Sequence, residues 1–384
     1  DPTYFHSLEK EFLEEIGQIE NKVARLTDFP VNLKSPKQIS ELLFEKLKLP
    51  VIKKNKTFYS TDSEVLEELD RLNISEIPAL ILRHRELDKL LSTYVSVLPS
   101  LINPHSGKIH THFNDTVTTT GRLSSDRPNL QNIPVRSIDG KKIRKGFISS
   151  SEENFLLSAD YSQVELRLLA HFSNDELMLN AFKNNEDIHS QTAAEIFGLS
   201  SSNEVTSEDR GRAKAVNFGL MYGQSSFGLS QGLKISRYEA KEYITKYFAR
   251  FYKVKTYIDH LKEQCAKLGY AETLLGRKRF VAEINSQNRT LRSMAERLAI
   301  NTPIQGTAAD IIKIAMIKIQ NKLESEKLKS TMILQVHDEL IFEVPSYELE
   351  QMKNIVLQEM MDAQKLDVSL EININVGKNW LELK

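Results

Sequence analysis

Two carboxylates far apart in the chain, Asp160 and Asp338, each stand at the end of an apolar run of β type. The first run reads Phe155-Leu156-Leu157-Ser158-Ala159-Asp160-Tyr161-Ser162-Gln163-Val164-Glu165-Leu166-Arg167, the second Ile333-Leu334-Gln335-Val336-His337-Asp338-Glu339-Leu340-Ile341-Phe342-Glu343-Val344. A sheet that joins the two ends builds a site for hard divalent cations such as magnesium, which prefer carboxylate oxygens. Between the acids lies a basic helix. Thr206-Ser207-Glu208-Asp209 reads as a capping box, and Arg210, Lys214, Phe218 and Tyr222 then recur every four residues. Four residues advance about 400°, so these side chains form one slowly drifting stripe about 18 Å long. Cations near a helix N-terminus oppose the macrodipole at about 0.3 kcal/mol each. An anion bound there reverses that cost, because helix N–H groups, guanidinium and ammonium then face one charge. Each segment also has a plainer reading: a solvated basic edge over an aromatic core stripe, a helix cap at Asp160, a polar hairpin turn at Asp338. Together, two acids and a phosphate-compatible helix point to two-metal phosphoryl transfer.

The elements that must position these residues follow from pattern. The chain of 384 residues exceeds one ordinary core and is expected to split into two or three lobes. With 40% hydrophobic and 27% charged residues it is globular and not disordered. A net charge of −1 makes any nucleic-acid footprint a local matter. The single cysteine, Cys265, excludes an internal disulfide and a cysteine-based zinc site. No long apolar run or leader pattern predicts a membrane span or export signal. The opening Asp1-Pro2, without methionine, leads one to expect a fragment or processed form.

Helical spacing from residue 5 to about 26, a short segment from Ser35-Pro36 through Leu47, and pattern over Ser63–Leu72 and Pro78–Val97 predict an all-helical first lobe. Lys53, Lys54 and Lys56 lie in a polar stretch within it. The turn cluster Asn103-Pro104-His105-Ser106-Gly107 marks a change of character. Lys108–Phe113 and Thr116–Thr120 then read as strands, Asp160 ends a strand, and a helix starts at Gln163. Residues 175 to 300 read as mostly helical, with a break at Ser200–Asn203. A helix is expected to end near Pro303 and another to run from Ala308 to about Glu324. The Asp338 hairpin, a helix from Tyr347 to about Gln364 and a strand near Leu370–Val376 close the chain, which has no internal repeats.

The acids and the helix resemble the three polymerase motifs of the family A DNA polymerases of the bacterial DNA polymerase I type. Asp160 to Arg167 is similar to the first motif, Arg210 to Gly223 to the second, and Gln335 to Glu339 to the third. Thr120-Gly121-Arg122-Leu123-Ser124-Ser125, Pro128 to Arg136 and Asn301 to Asp310 match as well, in order and over nearly the whole chain. One departure is Arg127, where family members commonly carry an acid before the proline.

The resemblance implies an α+β right-hand fold, with an antiparallel-sheet palm and mostly helical thumb and fingers. Residues 1–104 would be thumb, 105–172 and 297–384 palm, and 173–296 fingers. It implies a DNA-directed DNA polymerase that adds dNTPs to a primer 3′-hydroxyl and releases pyrophosphate. Two Mg2+ ions would be held by Asp160, Asp338 and the Tyr161 carbonyl, with Glu339 a secondary acid. Arg210, Lys214 and His189 would grip the triphosphate, Lys214 also donating a proton to pyrophosphate. Phe218 and Tyr222 would stack beside the nucleotide and template base. Gln163 would belong to the nucleotide site, and Glu165 would close the sugar pocket against a 2′-hydroxyl. Arg122, Asn129, Gln131, Asn132, Arg136, Arg297, Asn301, Gln305, Gln335 and His337 would contact primer-template DNA, the minor-groove residues testing acceptors common to every correct pair. Lys53, Lys54 and Lys56 are candidates for duplex phosphate contacts, against a merely solvated loop.

Related proteins carry a 3′–5′ exonuclease domain ahead of the thumb, so no proofreading is expected of this chain. A monomer in a bacterial cytoplasm, associated with the nucleoid, is the expected setting, with an organelle as the alternative. Two other functions compete. A single-subunit RNA polymerase shares the palm, but Glu165 at the sugar pocket opposes ribonucleotides. A silent DNA-binding module would not need Asp160, Asp338, Arg210 and Lys214 together.

Overall fold

The computed structural model describes residues 1–27, 29–55 and 58–383. Its centre is a four-stranded sheet in the order β6-β7-β3-β8, with every pairing antiparallel. In chain order the strands are β1 (His112–Asn114), β2 (Ser124–Asp126), β3 (Asn154–Tyr161), β4 (Tyr270–Glu272), β5 (Lys278–Phe280), β6 (Thr331–Val336), β7 (Glu339–Pro345) and β8 (Ile372–Gly377). Strands β1–β2 and β4–β5 form two separate hairpin ladders. The rest is helical, so helix and antiparallel sheet are segregated as in an α+β protein.

The central sheet is covered on both faces, and the period of two along its strands sorts its side chains between two cores. Leu157, Ala159, Leu340, Phe342 and Val344 join the core built with helices Val164–Ser173, Ser207–Met221 and Arg289–Ser325. Leu156, Leu334, Val336 and Ile341 join the other, which is filled by the amphipathic helix Pro2–Thr27 through Phe5, Leu8, Phe12, Ile16, Ile19 and Val23. Every residue of β7 is buried, as a strand sandwiched between helical layers must be.

The first lobe is helical as its spacing predicts, with helices Pro2–Thr27, Pro36–Ser40, Ser63–Arg71 and Ile77–Leu90. Residues Glu41–Lys46 and Leu91–Val95 continue two of them as wider π-type turns. Lys56 lies outside the described residues. The last α-helix runs Leu349–Met361. No helix among the described residues is long and apolar enough to cross a membrane.

Two expectations need correction. Thr116–Thr120 is not a strand: Thr118 Oγ1 donates to Arg122 O at 2.5 Å and Gly121 N to Thr118 O at 3.3 Å, closing a local turn in place of a ladder. Of the preceding β-type run only His112 and Phe113 lie in a strand, and Ile109 makes an isolated antiparallel bridge to Ile102. Gly121 is demanded by this turn, since its φ is +80° and a Cβ there would meet Arg277 Nε at 2.7 Å. Pro303 does not end a helix but lies inside Arg289–Ser325. A mid-helix proline costs about 3 kcal/mol, which burial of the surrounding turns (Ile300, Thr302, Ile304, Ala308, Ile311) offsets. Residues 175–300 are mostly helical, as their pattern predicts, and also contain the β4–β5 hairpin, turned by Gly276 at φ +85°.

That hairpin fastens the long helix. Thr273 Oγ1 donates to Asp310 Oδ2 at 2.8 Å, Arg277 Nε to Asp310 Oδ1 at 2.8 Å, and Leu274 N to Thr307 Oγ1 at 3.0 Å. Gly306 lets it approach, because a Cβ there would sit 2.5 Å from Thr273 Cγ2. The Asn301–Asp310 segment is therefore divided by helical period. Thr307 and Asp310 take the hairpin, while Gln305 bonds to Tyr222.

Candidate active site

Asp160 is the penultimate residue of β3 and lies opposite Glu339 at the start of β7 and Asn373 of β8. One residue on, Tyr161 N donates to Asp338 O at 3.1 Å. The two aspartates thus become diagonal neighbours across adjacent strands, and both side chains are half-buried. Each is followed or preceded by a backbone position that L-residues rarely adopt: Gln163 has φ +52° and His337 φ +53°. Held conformations of this kind cost about 1–3 kcal/mol and persist only where the surroundings determine them. The turn after Asp160 is fixed by Arg167, 3% exposed, whose Nε donates to Ser162 O at 3.0 Å and Nη1 to Ser369 O at 2.7 Å. The Tyr161 ring is anchored in the core, its hydroxyl donating to Met360 O at 2.8 Å, so only its backbone faces the acids' side of the strand end. The turn before Asp338 is fixed by Gln335, whose amide donates to His337 O, and by Gln131 Nε2, which donates to Gln335 Oε1 at 2.8 Å.

Burial raises the Asp338 carboxyl above the usual range, Arg122 opposes that shift, and Glu165 adds to it. The three form one network: Arg122 Nη2 lies 2.6 Å from Glu165 Oε1 and 3.9 Å from Asp338 Oδ1. The other Glu165 oxygen accepts from the Tyr222 hydroxyl. Burial, then the neighbouring Glu165 charge, pushes the Tyr222 phenol well above its ordinary range and keeps it a donor. Glu165 is buried and doubly held, and it ties the helix after Asp160 to the end of the basic helix.

The basic helix is Ser207–Met221, and its capping box is formed by Thr206 and Asp209 in both directions. Arg210 and Lys214 are exposed, while Phe218 and Tyr222 are half-buried with ring centroids 6.3 Å apart. Asp187, two residues before His189, is the partner of Arg210. Its Oδ2 accepts from Arg210 Nε at 2.5 Å and its Oδ1 from Nη2 at 3.4 Å. Burial favours the neutral acid, but Arg210 and Ser190 outweigh it and bring Asp187 down to about 2. The same carboxylate caps helix Ile188–Phe197, accepting from His189 N at 3.0 Å.

His189 is 2% exposed, and burial lowers its pKa to about 4, so it is neutral at pH 7. Its Nδ1 lies 2.9 Å from the Asn217 amide nitrogen, which leaves the proton on Nε2. Asn217, fully buried on the same helix, was not singled out in the sequence. Nothing local distinguishes it from any mid-helix polar residue.

Of the remaining candidates, Asn132, Arg136, Arg297 and His337 are exposed, and Gln131, Gln305 and Gln335 are bonded as described. Four buried polar atoms without a hydrogen-bond partner fall among the candidates: Arg122 Nε, Asn129 Oδ1, Gln163 Oε1 and Asn301 Oδ1. Such atoms are expensive in a finished interior, where buried polar groups find a protein or water partner. Lys53 pairs with Asp62 at 2.9 Å, and Lys54 Nζ stands 5.2 Å from the Tyr59 ring centroid. Among the described residues no group of three or more His, Cys, Asp or Glu side chains is arranged to hold a metal.

Comparisons with known proteins give the family. The family model for DNA polymerase family A matches residues 2–382. DNA polymerase I of Caldicellulosiruptor bescii is 53% identical over 375 residues, covering 98% of this chain and 44% of the relative. DNA polymerase I of Bacillus caldotenax is 46% identical over 385 residues, covering 100% of this chain and 44% of the relative. The chain thus spans less than half the length of these curated relatives. Among solved structures, the POL domain of Pol1 from M. smegmatis, in complex with DNA primer-template and dNTP, superposes with a TM-score of 0.93. It is 42% identical, and the match covers 100% of this chain and 67% of that one. A match along almost every residue, in sequence and in fold alike, leaves one conclusion: the chain belongs to DNA polymerase family A.

Proposed function

We propose that this chain carries out template-directed DNA synthesis, adding dNTPs to a primer 3′-hydroxyl with release of pyrophosphate. The observation that carries the reading is the juxtaposition of Asp160 and Asp338 across β3 and the β6–β7 turn. In this reading residues 1–104 are the thumb, 105–172 with 297–384 the palm, and 173–296 the fingers. Primer extension with dNTPs and, separately, rNTPs tests it. Extension with dNTPs alone is expected; extension with neither would sink it.

Two half-exposed carboxylates side by side repel each other and are oxygen donors, a set that fits a hard divalent cation. Asp160, Asp338 and the Tyr161 carbonyl would hold two Mg2+ ions, which supply Lewis-acid stabilisation of the attacking and leaving oxygens when bound. The rest belongs to the side chains. Arg210 offers the triphosphate the guanidinium edge that Asp187 leaves open. Lys214 donates a proton to the leaving pyrophosphate. Tyr222 and Phe218 form the wall against the nucleotide, and Arg122, Asn129 and Asn301 meet DNA with atoms that lack partners within the protein.

Glu165→Ala is expected to admit ribonucleotides, relaxing discrimination about a hundredfold, with little gain for dNTPs. It also leaves Arg122 and Tyr222 without their buried acceptor, a cost of about 1–3 kcal/mol in stability. Single-nucleotide competition and thermal unfolding read the two effects separately. Undiminished rejection of ribonucleotides would remove Glu165 as the sugar gate.

Asp187→Asn retains a good helix cap but loses the charge that orients Arg210. The nucleotide dissociation constant is expected to rise about fivefold, equivalent to about 1 kcal/mol of lost positioning. Unchanged or tighter nucleotide binding would mean that the pair merely neutralises two surface charges.

A further inference from the structure

We propose that Asn217 is a positioning residue for the incoming nucleotide: its side-chain amide decides which nitrogen of His189 carries the proton, and so presents the triphosphate with an N–H donor. The inference deepens the proposed function and rests on it, since there Arg210 and Lys214 of the same helix meet that triphosphate.

Helices Ile188–Phe197 and Ser207–Met221 pack against each other, and three buried polar side chains, His189, Thr192 and Asn217, lie in their contact. Away from water, each must find its partners among the others and the backbone. Asn217 Nδ2 is 2.9 Å from His189 Nδ1, and Asn217 Oδ1 is 3.1 Å from the Thr192 hydroxyl. Thr192 Oγ1 also lies 2.7 Å from Ile188 O, one turn back, so its single proton has two acceptors within reach. Donation to Asn217 starts a chain that runs one way, from Thr192 to Asn217 to His189, each bond polarising the next. His189 Nδ1 then accepts, and the ring proton sits on Nε2. With the amide turned over, Nδ1 would donate and Nε2 would keep a bare lone pair.

The surroundings of the ring give that difference a consequence. Its centroid is 6.0 Å from that of Phe218, and the charges of Asp187, Arg210 and Lys214 all act on it, which places it beside the basic stripe. Burial, opposed by Asp187 and aided by the two cations, brings its pKa to about 4, so it offers no positive charge at pH 7. A neutral imidazole serves a triphosphate only as a donor, because phosphate oxygens are acceptors and a lone pair aimed at them repels. Asn217 itself is fully enclosed and has no surface to offer a nucleotide. It acts through His189.

Two measurements test this. In the chain labelled with 15N at histidine, ring-nitrogen chemical shifts report the tautomer, the His189 signals being those of the nine histidines that vanish in His189→Gln. The proton is expected on Nε2 in the unaltered chain, both free and with dNTP bound on a dideoxy-terminated primer-template. In Asn217→Leu, which removes the donor to Nδ1, a share of the proton should move to Nδ1. A proton on Nδ1 in the unaltered chain overturns the proposal, and this reading stands even if Asn217→Leu does not fold. Pre-steady-state incorporation then compares Asn217→Leu in two backgrounds. With His189 present, the nucleotide dissociation constant is expected to rise about tenfold, while the maximal rate changes less than about threefold. In His189→Gln, whose amide carries its N–H on a fixed atom, the same change should cost less than about twofold. Equal costs in the two backgrounds, or no cost with His189 present, would leave Asn217 a clamp between two helices and overturn the proposal. Primer extension by the unaltered chain keeps the two readings apart: its absence counts against the polymerase reading, whereas the tautomer is read without turnover.

Discussion

Asp160→Ala and Asp338→Ala are each expected to slow primer extension about a thousandfold, ~4 kcal/mol of barrier. Primer-template affinity should stay within about threefold of the unaltered chain, because it rests on many distributed phosphate contacts and not on two acids. The two carboxylates stand at strand ends, half-exposed, and their strands are held by backbone pairing that alanine leaves intact. Removing one of two adjacent like charges also relieves repulsion, so the fold should survive, which circular dichroism and thermal unfolding check. Asn at either position keeps the volume and loses the charge, and should be almost as inactive. Arg122 makes the Asp338 variant informative. Its guanidinium, 3.9 Å from Asp338 and 2.6 Å from Glu165, would then belong to Glu165 alone. A variant retaining more than about a tenth of normal turnover, roughly 1.4 kcal/mol, would falsify the assignment of these acids as metal holders.

What could be read from the sequence is what short-range periodicity encodes. The β-type runs that end at Asp160 and Asp338 are real strands, and the capping box at Thr206 and Asp209 is made in both directions. The four-residue spacing from Arg210 to Tyr222 survives as one face, because a helix imposes it whatever surrounds it. The sheet joins the two ends without pairing the two strands directly: β7 lies between β6 and β3, and the β6–β7 turn brings Asp338 beside Asp160. Features fixed by distant neighbours were not legible. Pro303 reads as a helix end, yet buried turns on both sides carry the helix through it. The β4 and β5 strands are three residues each, too short for a period of two to rise above the helical pattern around them. Asp187 caps a helix in the folded chain, and its ion pair with Arg210 spans 23 positions and has no local signature. The same holds for Arg122, Glu165 and Tyr222, three residues from separate segments that meet only in the folded chain.

Geometry also separates the two cations of the basic helix, and with them the second large expected effect. Arg210 is already engaged by Asp187, whereas Lys214 makes no ion pair among the described residues and its Nζ stands 5.9 Å from the Phe218 ring centroid. An exposed ammonium on the same stripe is free to follow the charge that grows on a leaving pyrophosphate. Lys214→Ala is therefore expected to cut the maximal incorporation rate about a hundredfold, within the range for loss of a general acid, while the nucleotide dissociation constant rises only severalfold. Arg210→Ala should weaken both, since a guanidinium clamp aligns the phosphates as well as binding them. Lys214→Arg sharpens the test. It keeps the positive charge but holds its proton too tightly to donate at neutral pH, so nucleotide affinity should recover and rate should not. Pre-steady-state single-nucleotide incorporation gives the two constants separately. If Lys214→Arg restores rate along with affinity, Lys214 acts through charge alone. If Lys214→Ala changes neither constant, the stripe is a solvated edge over an aromatic core.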